Sequence, residues 1–348
     1  MSYPTINTAS NKKAVTIKLK MEPPSTTDDK MFYKYSFKSH NCCTILDLEV
    51  DNQCGPNMIL SHASCLSDRP SIDLYKYEEI PRFLKGNPYI RKGYRVNLPA
   101  SHCFSSLLVW NNESINVWSH LLGFVLFSGA MFTDCLTTST KGVTLIDCFY
   151  NILGLLCFMI CMLLSAGFHL FYCHSKKACR RWLAMDLAGI SIGLIGCYLP
   201  GVHLAFYCHQ SWRHFYLFVV FLLGVISFGL QLHPRFLSNA WGHYRMLLYS
   251  CIAGYGVIPA VHWIYLSGGF HTDIVQIFYG KIVMIYILAL LAVGFYVTKF
   301  PECLFPGKMD YIGSSHQWWH IIVVVAFMYW HNAGLIILQY RIDVPCQY

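Results

Sequence analysis

Charge is what this sequence has least of. Only 13% of its 348 residues are Asp, Glu, Lys or Arg, against 55% hydrophobic, where a soluble domain carries about 25% charged residues. The mean hydropathy is +0.40. Acid is scarcest: 18 Asp and Glu face 26 Lys and Arg, a formal net charge of +8. Even so, no basic run is dense enough to grip nucleic acid, and the dispersed excess suits an anionic lipid surface better. Any CxxC pair is also missing, which removes zinc-ribbon spacings although sixteen cysteines are present. No export signal precedes the N-terminal tail, because the first long apolar run starts after residue 115. That tail, with Cys42, Cys43, Cys54 and Cys65, is therefore expected to be cytosolic and its thiols reduced.

What fills the sequence instead is apolar length. Seven runs, near 117–137, 147–173, 183–207, 214–233, 246–267, 275–298 and 317–340, each approach the ~20 residues needed to cross a bilayer. Lipid offers no partners to backbone groups, so these runs are expected to be helices. The fold class is an all-α integral membrane protein, a seven-helix bundle. Residues 1–70 are polar, without a sustained period, and read as a disordered cytosolic tail. Residues 71–112 interleave aromatic and basic residues between Pro81 and Pro88, which suits an interfacial juxtamembrane segment as well as a solvated linker. The bundle occupies 113–342, and 343–348 form a short lumenal tail.

Basic residues orient the bundle. Lys176, Lys177, Arg180 and Arg181 follow the second span, Arg235 and Arg245 flank the gap after the fourth, and Lys299 and Lys308 follow the sixth. These gaps share a side with Arg91, Lys92 and Arg95, while the other side has only Lys141, Arg213 and Arg341. The expected topology is inverted relative to G-protein-coupled receptors, with a cytosolic N-terminus and a lumenal C-terminus. The sequon Asn112-Glu-Ser114 would then never meet the glycosylation machinery.

Ionisable residues inside spans are costly and mark functional sites. His169 closes one run in Ser165-Ala-Gly-Phe-His169, Asp186 opens the next, and His316 and His320 open the last in Ser315-His316-Gln-Trp-Trp-His320. At 1.5 Å per residue all four fall within roughly 6 Å of one membrane level. His316 and His320 share a helix face at i, i+4, as do Ser165 and His169. Three imidazoles without cysteine suit an open, catalytic type of zinc site. Asp186 would orient a water, act as its base, or fix an imidazole. The plainer alternative is that these residues only join helices. His331 lies about 16 Å beyond His320, and His203 and His262 fall at the far ends of their spans, so packing roles are expected for them. Glu113, Asn116 and His120 form one stripe at the start of the first span. Glu113 there is either a helix-terminus charge or, with its neighbours, part of a polar network beside the metal.

These motifs resemble the progestin and adipoQ receptor family: Glu113-Ser-Ile-Asn116-Val-Trp-Ser-His120, Ser165-x3-His169 followed by Asp186, and His316-x3-His320. The resemblance covers about residues 75–342. It implies a seven-helix bundle with a cytosolic N-terminus and zinc on His169, His316 and His320, with Asp186 and Ser165 beside it. Relatives that bind adiponectin are credited with zinc-dependent hydrolysis of ceramide amides. A Golgi-resident branch is credited with holding Raf kinases on its cytosolic face and damping MAP kinase signalling. Pro88-Tyr-Ile, Gly93-Tyr-Arg-Val-Asn-Leu-Pro99, Cys179-Arg-Arg-Trp-Leu-Ala-Met-Asp186 and Gly254-Tyr-Gly-Val-Ile-Pro259 most resemble that branch. Three functions follow as expectations: a Golgi membrane tether for a Raf-type kinase, a zinc-dependent amidohydrolase acting on a ceramide-like membrane lipid, and a receptor for an adiponectin-like or lipid ligand. The expected outer loops offer little surface for a protein hormone.

Overall fold

In the computed structural model, the described residues are 32–39, 42–49, 72–138, 142–231, 233 and 235–346. The chain divides into two units, Met1–Asp68 and Arg69–Tyr348. In the first, β1 (Phe32–Ser39) pairs antiparallel with β2 (Cys42–Glu49), from Phe32 opposite Glu49 to Ser39 opposite Cys42. The tail is expected from its composition to be mostly disordered, and this hairpin is the part of it among the described residues. Aromatic and β-branched residues in these two runs favour a pleated ladder over coil. The rest of that tail lies outside the described residues.

In the second unit seven helical spans follow one another. They are α2 (Ser114–Thr138), α3 (Leu145–Phe171), α4 (Lys176–Ala205), α5 (Gln210–Gln231), α6 with α7 (Gly242–Tyr255 and Val257–Leu266), α8 (Asp273–Thr298) and α9 (Ser315–Asp343), after a short α1 (Ala100–Ser105). All seven expected spans are present, with ends shifted by a few residues. The largest shift is at α4, which starts at Lys176 because Ser175 caps it, its hydroxyl accepting from Ala178 N. Its first turn is charged, so hydropathy alone misses it.

The fifth span is broken at Gly256. Pro259 has no N–H for the carbonyl of Tyr255 and its ring crowds that carbonyl. The Tyr198 hydroxyl donates to the carbonyls of Ile252 (2.6 Å) and Ala253 (3.0 Å), and the Tyr286 hydroxyl to Ala253 (3.2 Å). Side chains thus satisfy backbone groups that lipid would leave unpaired.

Helices α3 and α4 approach through glycine. A Cβ on Gly196 would fall 2.5 Å from Cys157 Cβ, and one on Gly193 would fall 3.3 Å from Cys161 Sγ and 2.7 Å from the Phe327 ring of α9. The bundle centre is aromatic, with Phe158 stacked on Phe327 at 4.3 Å and Phe127 beside both.

The two ends differ. At one, residues 72–112 and the loop 299–314 form a cap. Tyr75 and Tyr94 exchange backbone hydrogen bonds, and Ile80, Leu84, Ile90 and Tyr94 pack with Leu170 and Tyr172. Asn112 is buried, so the sequon is closed to a glycan by packing alone. At the other end, the Asp147 carboxylate accepts from Arg341 Nη1 (2.7 Å) and Nη2 (2.5 Å) and lies 2.7 Å from His203 Nε2. A disulfide joins Cys208 to Cys346 there.

Candidate metal centre

Two spans deliver the centre. His169 lies two residues from the C-terminal end of α3, and His316 and His320 occupy the first two turns of α9. The i, i+4 spacing turns the last two to one face, which packs toward α3. His316 Nε2 lies 3.3 Å from His169 Nε2 and 3.3 Å from His320 Nε2. Tetrahedral zinc bound at about 2.0–2.1 Å requires nitrogens about 3.3–3.4 Å apart. Two of the three edges thus already have the length of a coordination tetrahedron, all three histidines offer ligand atoms within 4.8 Å of one another, and they are the one group of at least three potential ligands found among the described residues.

The groups behind the imidazoles fit the same reading. Glu113 Oε2 lies 2.7 Å from His169 Nδ1, so the carboxylate accepts a hydrogen bond from Nδ1–H and leaves Nε2 with its lone pair toward the centre. Asn116 Nδ2 donates to the same oxygen at 2.6 Å. His320 Nδ1 and Asn116 Oδ1 are both buried without a hydrogen-bond partner. Glu113 thus bonds with both His169 and Asn116, and it also stands directly before the helix that begins at Ser114, its own N–H donating to Asn111 Oδ1 at 3.0 Å.

Asp186 departs from one expectation. The four polar residues were expected to meet, but the converging set holds only the three histidines. Asp186 and Ser165 both line a cavity of about 390 Å³. His316 and His320 line the same cavity, as does His120, which stacks on His320 at 3.8 Å with both ring nitrogens unpartnered. From this polar end the cavity runs between apolar walls to Trp263, Phe278 and Trp330. That shape suits an amphiphile with its polar group at the histidines.

The other histidines take packing roles. His203 pairs with Asp147, His262 Nδ1 lies 2.9 Å from the Tyr216 hydroxyl, and His331 lies 3.2 Å from Asp134. Two residues that bear on the centre escape the sequence reading altogether. Arg95, 1% exposed, donates to the carbonyl of His169 (2.6 Å). Glu302, wholly buried, accepts from the backbone N–H of Ser315 (2.7 Å), next to His316.

Comparison with known proteins agrees with this architecture. The family described as haemolysin-III related matches residues 108–331. The chain is 47% identical over 277 residues to human progestin and adipoQ receptor family member 3, covering 79% of this chain and 89% of that protein. It is 30% identical over 283 residues to Arabidopsis thaliana heptahelical transmembrane protein 1, covering 79% and 84%. It is also 30% identical over 262 residues to the Drosophila melanogaster adiponectin receptor protein, covering 74% and 58%.

Proposed function

The chain belongs to the haemolysin-III-related family, alongside the progestin and adipoQ receptors, and from that premise we propose that it holds zinc on His169, His316 and His320 and cleaves the amide bond of a ceramide-like lipid. The convergence of three histidines, two of which line the polar end of an apolar cavity, carries this reading. Zinc in such a centre supplies Lewis acidity to a carbonyl oxygen and acidifies water. The protein supplies the rest. Apolar walls take the acyl chain and exclude water. Asp186, on the wall of the same cavity as Ser165, takes the proton of the attacking water and returns one to the departing amine. His120 offers a ring N–H to a polar group of the lipid.

The test is metal analysis and ceramide turnover on purified protein. Wild type should carry one zinc and release fatty acid, and His169→Ala should do neither. Zinc-loaded wild type that leaves ceramide intact would sink the hydrolase reading and keep the metal.

A second reading rests on the 47% identity to progestin and adipoQ receptor family member 3. It makes the chain a Golgi protein that tethers a Raf-type kinase and damps MAP kinase signalling. Removal of residues 1–71 should then free the kinase from Golgi membranes, and kinase still retained there counts against it.

Both readings place the capped end in the cytosol. The dispersed cations at that end and the disulfide at the other support this orientation, since disulfides persist in oxidising compartments. Protease added outside sealed vesicles should cut the capped end only.

A further inference from the structure

The cap bonds to both helices that carry the candidate ligands. Arg95 Nη2 donates to the carbonyl of His169 (2.6 Å), while Nη1 donates to Ser106 Oγ (2.6 Å) and to the carbonyl of Leu170 (3.4 Å). These carbonyls close α3, where the last turn lacks internal donors and the helix dipole favours a cation. Eight residues earlier, Asn87 Nδ2 donates to Glu302 Oε1 (2.9 Å). Glu302 in turn accepts from Ser315 N (2.7 Å) and from the Ser315 hydroxyl. Ser315 begins α9 and precedes His316, so this buried carboxylate sits at the positive end of the helix. Between the two arms, the same stretch is bonded along the loop 299–314. Gly307 N donates to Tyr89 O (2.9 Å), and Arg91 N to Asp310 Oδ1 (2.7 Å).

We infer that residues 87–95 are a two-armed clamp that sets the spacing of α3 and α9 at the metal centre, with Arg95 positioning His169 and Asn87 positioning His316 through Glu302. The inference rests on the zinc reading. Its necessity is geometric. His169 and His316 are 147 residues apart in sequence, yet their nitrogens must stay 3.3 Å apart. A small slide of one helix along the other would open that edge. Glu113 and Asn116 fix ring orientation but do not hold the backbones of both helices. The clamp does, with a guanidinium fork on one carbonyl terminus and a carboxylate on one amide terminus. Lysine cannot replace the fork, because a single ammonium cannot span the His169 carbonyl and Ser106 together.

The test uses the full chain in detergent, comparing wild type with Arg95→Ala, Arg95→Lys and Asn87→Ala. Three quantities are read: zinc affinity against a competing chelator, the visible spectrum of the cobalt-substituted protein, and Tm with and without zinc. Wild type should bind one zinc tightly. The variants should bind it about 10–100-fold more weakly, the range seen when outer partners of metal ligands are removed. Their cobalt spectra should lose tetrahedral intensity, and zinc should raise their Tm less than it raises that of wild type. A residue that only supports the fold lowers Tm equally with and without zinc and leaves affinity alone. That result, with affinity within twofold of wild type in every variant that folds, overturns the clamp. Should Arg95→Ala fail to fold, Arg95→Lys and Asn87→Ala decide the matter. Wild type without zinc affinity would overturn the metal reading and the clamp with it, whereas tight zinc in wild type and variants alike overturns the clamp alone.

Discussion

Glu113, the residue before the first span, reaches across to α3 and lies 2.7 Å from Nδ1 of His169. One carboxylate thereby selects the tautomer that points the opposite nitrogen into the centre. Replacing it with the isosteric amide removes the charge but keeps the shape. Glu113→Gln is expected to weaken zinc binding by about tenfold, read by chelator competition. Unchanged affinity would mean that the pair only joins two helices.

The three histidines should behave as a unit. His169→Ala, His316→Ala and His320→Ala are each expected to empty the centre, and the triple variant should lose no more than any single one. Elemental analysis of purified protein reads this directly. A single variant with a full complement of zinc would remove that residue from the ligand set.

Asp186 should separate chemistry from binding. It lies on the cavity wall, outside the converging set. Asp186→Asn is therefore expected to keep its zinc while ceramide turnover falls by about two or more orders of magnitude, the usual worth of a proton-transfer group. Loss of the metal instead would make Asp186 a ligand.

Acid should release the ion. Protons compete with a metal for the same Nε2 lone pairs. Zinc occupancy is expected to fall as pH is lowered, read by metal analysis after equilibration at each pH. Occupancy that does not change with pH would argue for ligands other than histidine.

Packing gives a prediction independent of the metal. Gly196→Ala puts a methyl 2.5 Å from Cys157 Cβ on a neighbouring helix. Overpacking of this kind costs about 1–3 kcal/mol, so thermal unfolding should shift down by several degrees. An unshifted Tm would show that α3 and α4 can part to admit it.

The spans and the histidine triad were legible for one reason: both are written as position along a helix. Run length gives the crossings, and 1.5 Å per residue gives depth, which is enough to group His169 with His316 and His320 and to set His331 apart. What depth cannot give is direction. Asp186 stands at the same level but outside the converging set, and Glu113 reaches across to His169 on another helix. The break at Gly256 was invisible for a related reason, since its cost is met by hydroxyls of Tyr198 and Tyr286 on other helices. Arg95 and Glu302 were beyond reach entirely. Each lies in a polar stretch that hydropathy treats as connector, and their partners are 74 and 13 residues away in sequence.

The disulfide between Cys208 and Cys346 has a topological meaning. It closes α5–α9 into a covalent ring, with α2, α3 and α4 left as an open arm. His316 and His320 ride on the ring, while His169 rides on the arm. A metal ion on the three nitrogens would therefore be a stitch between ring and arm, removable by a chelator where the disulfide is removable only by a reductant. The two fasteners sit at opposite ends of the molecule and answer to different chemistry, so either can be undone while the other holds.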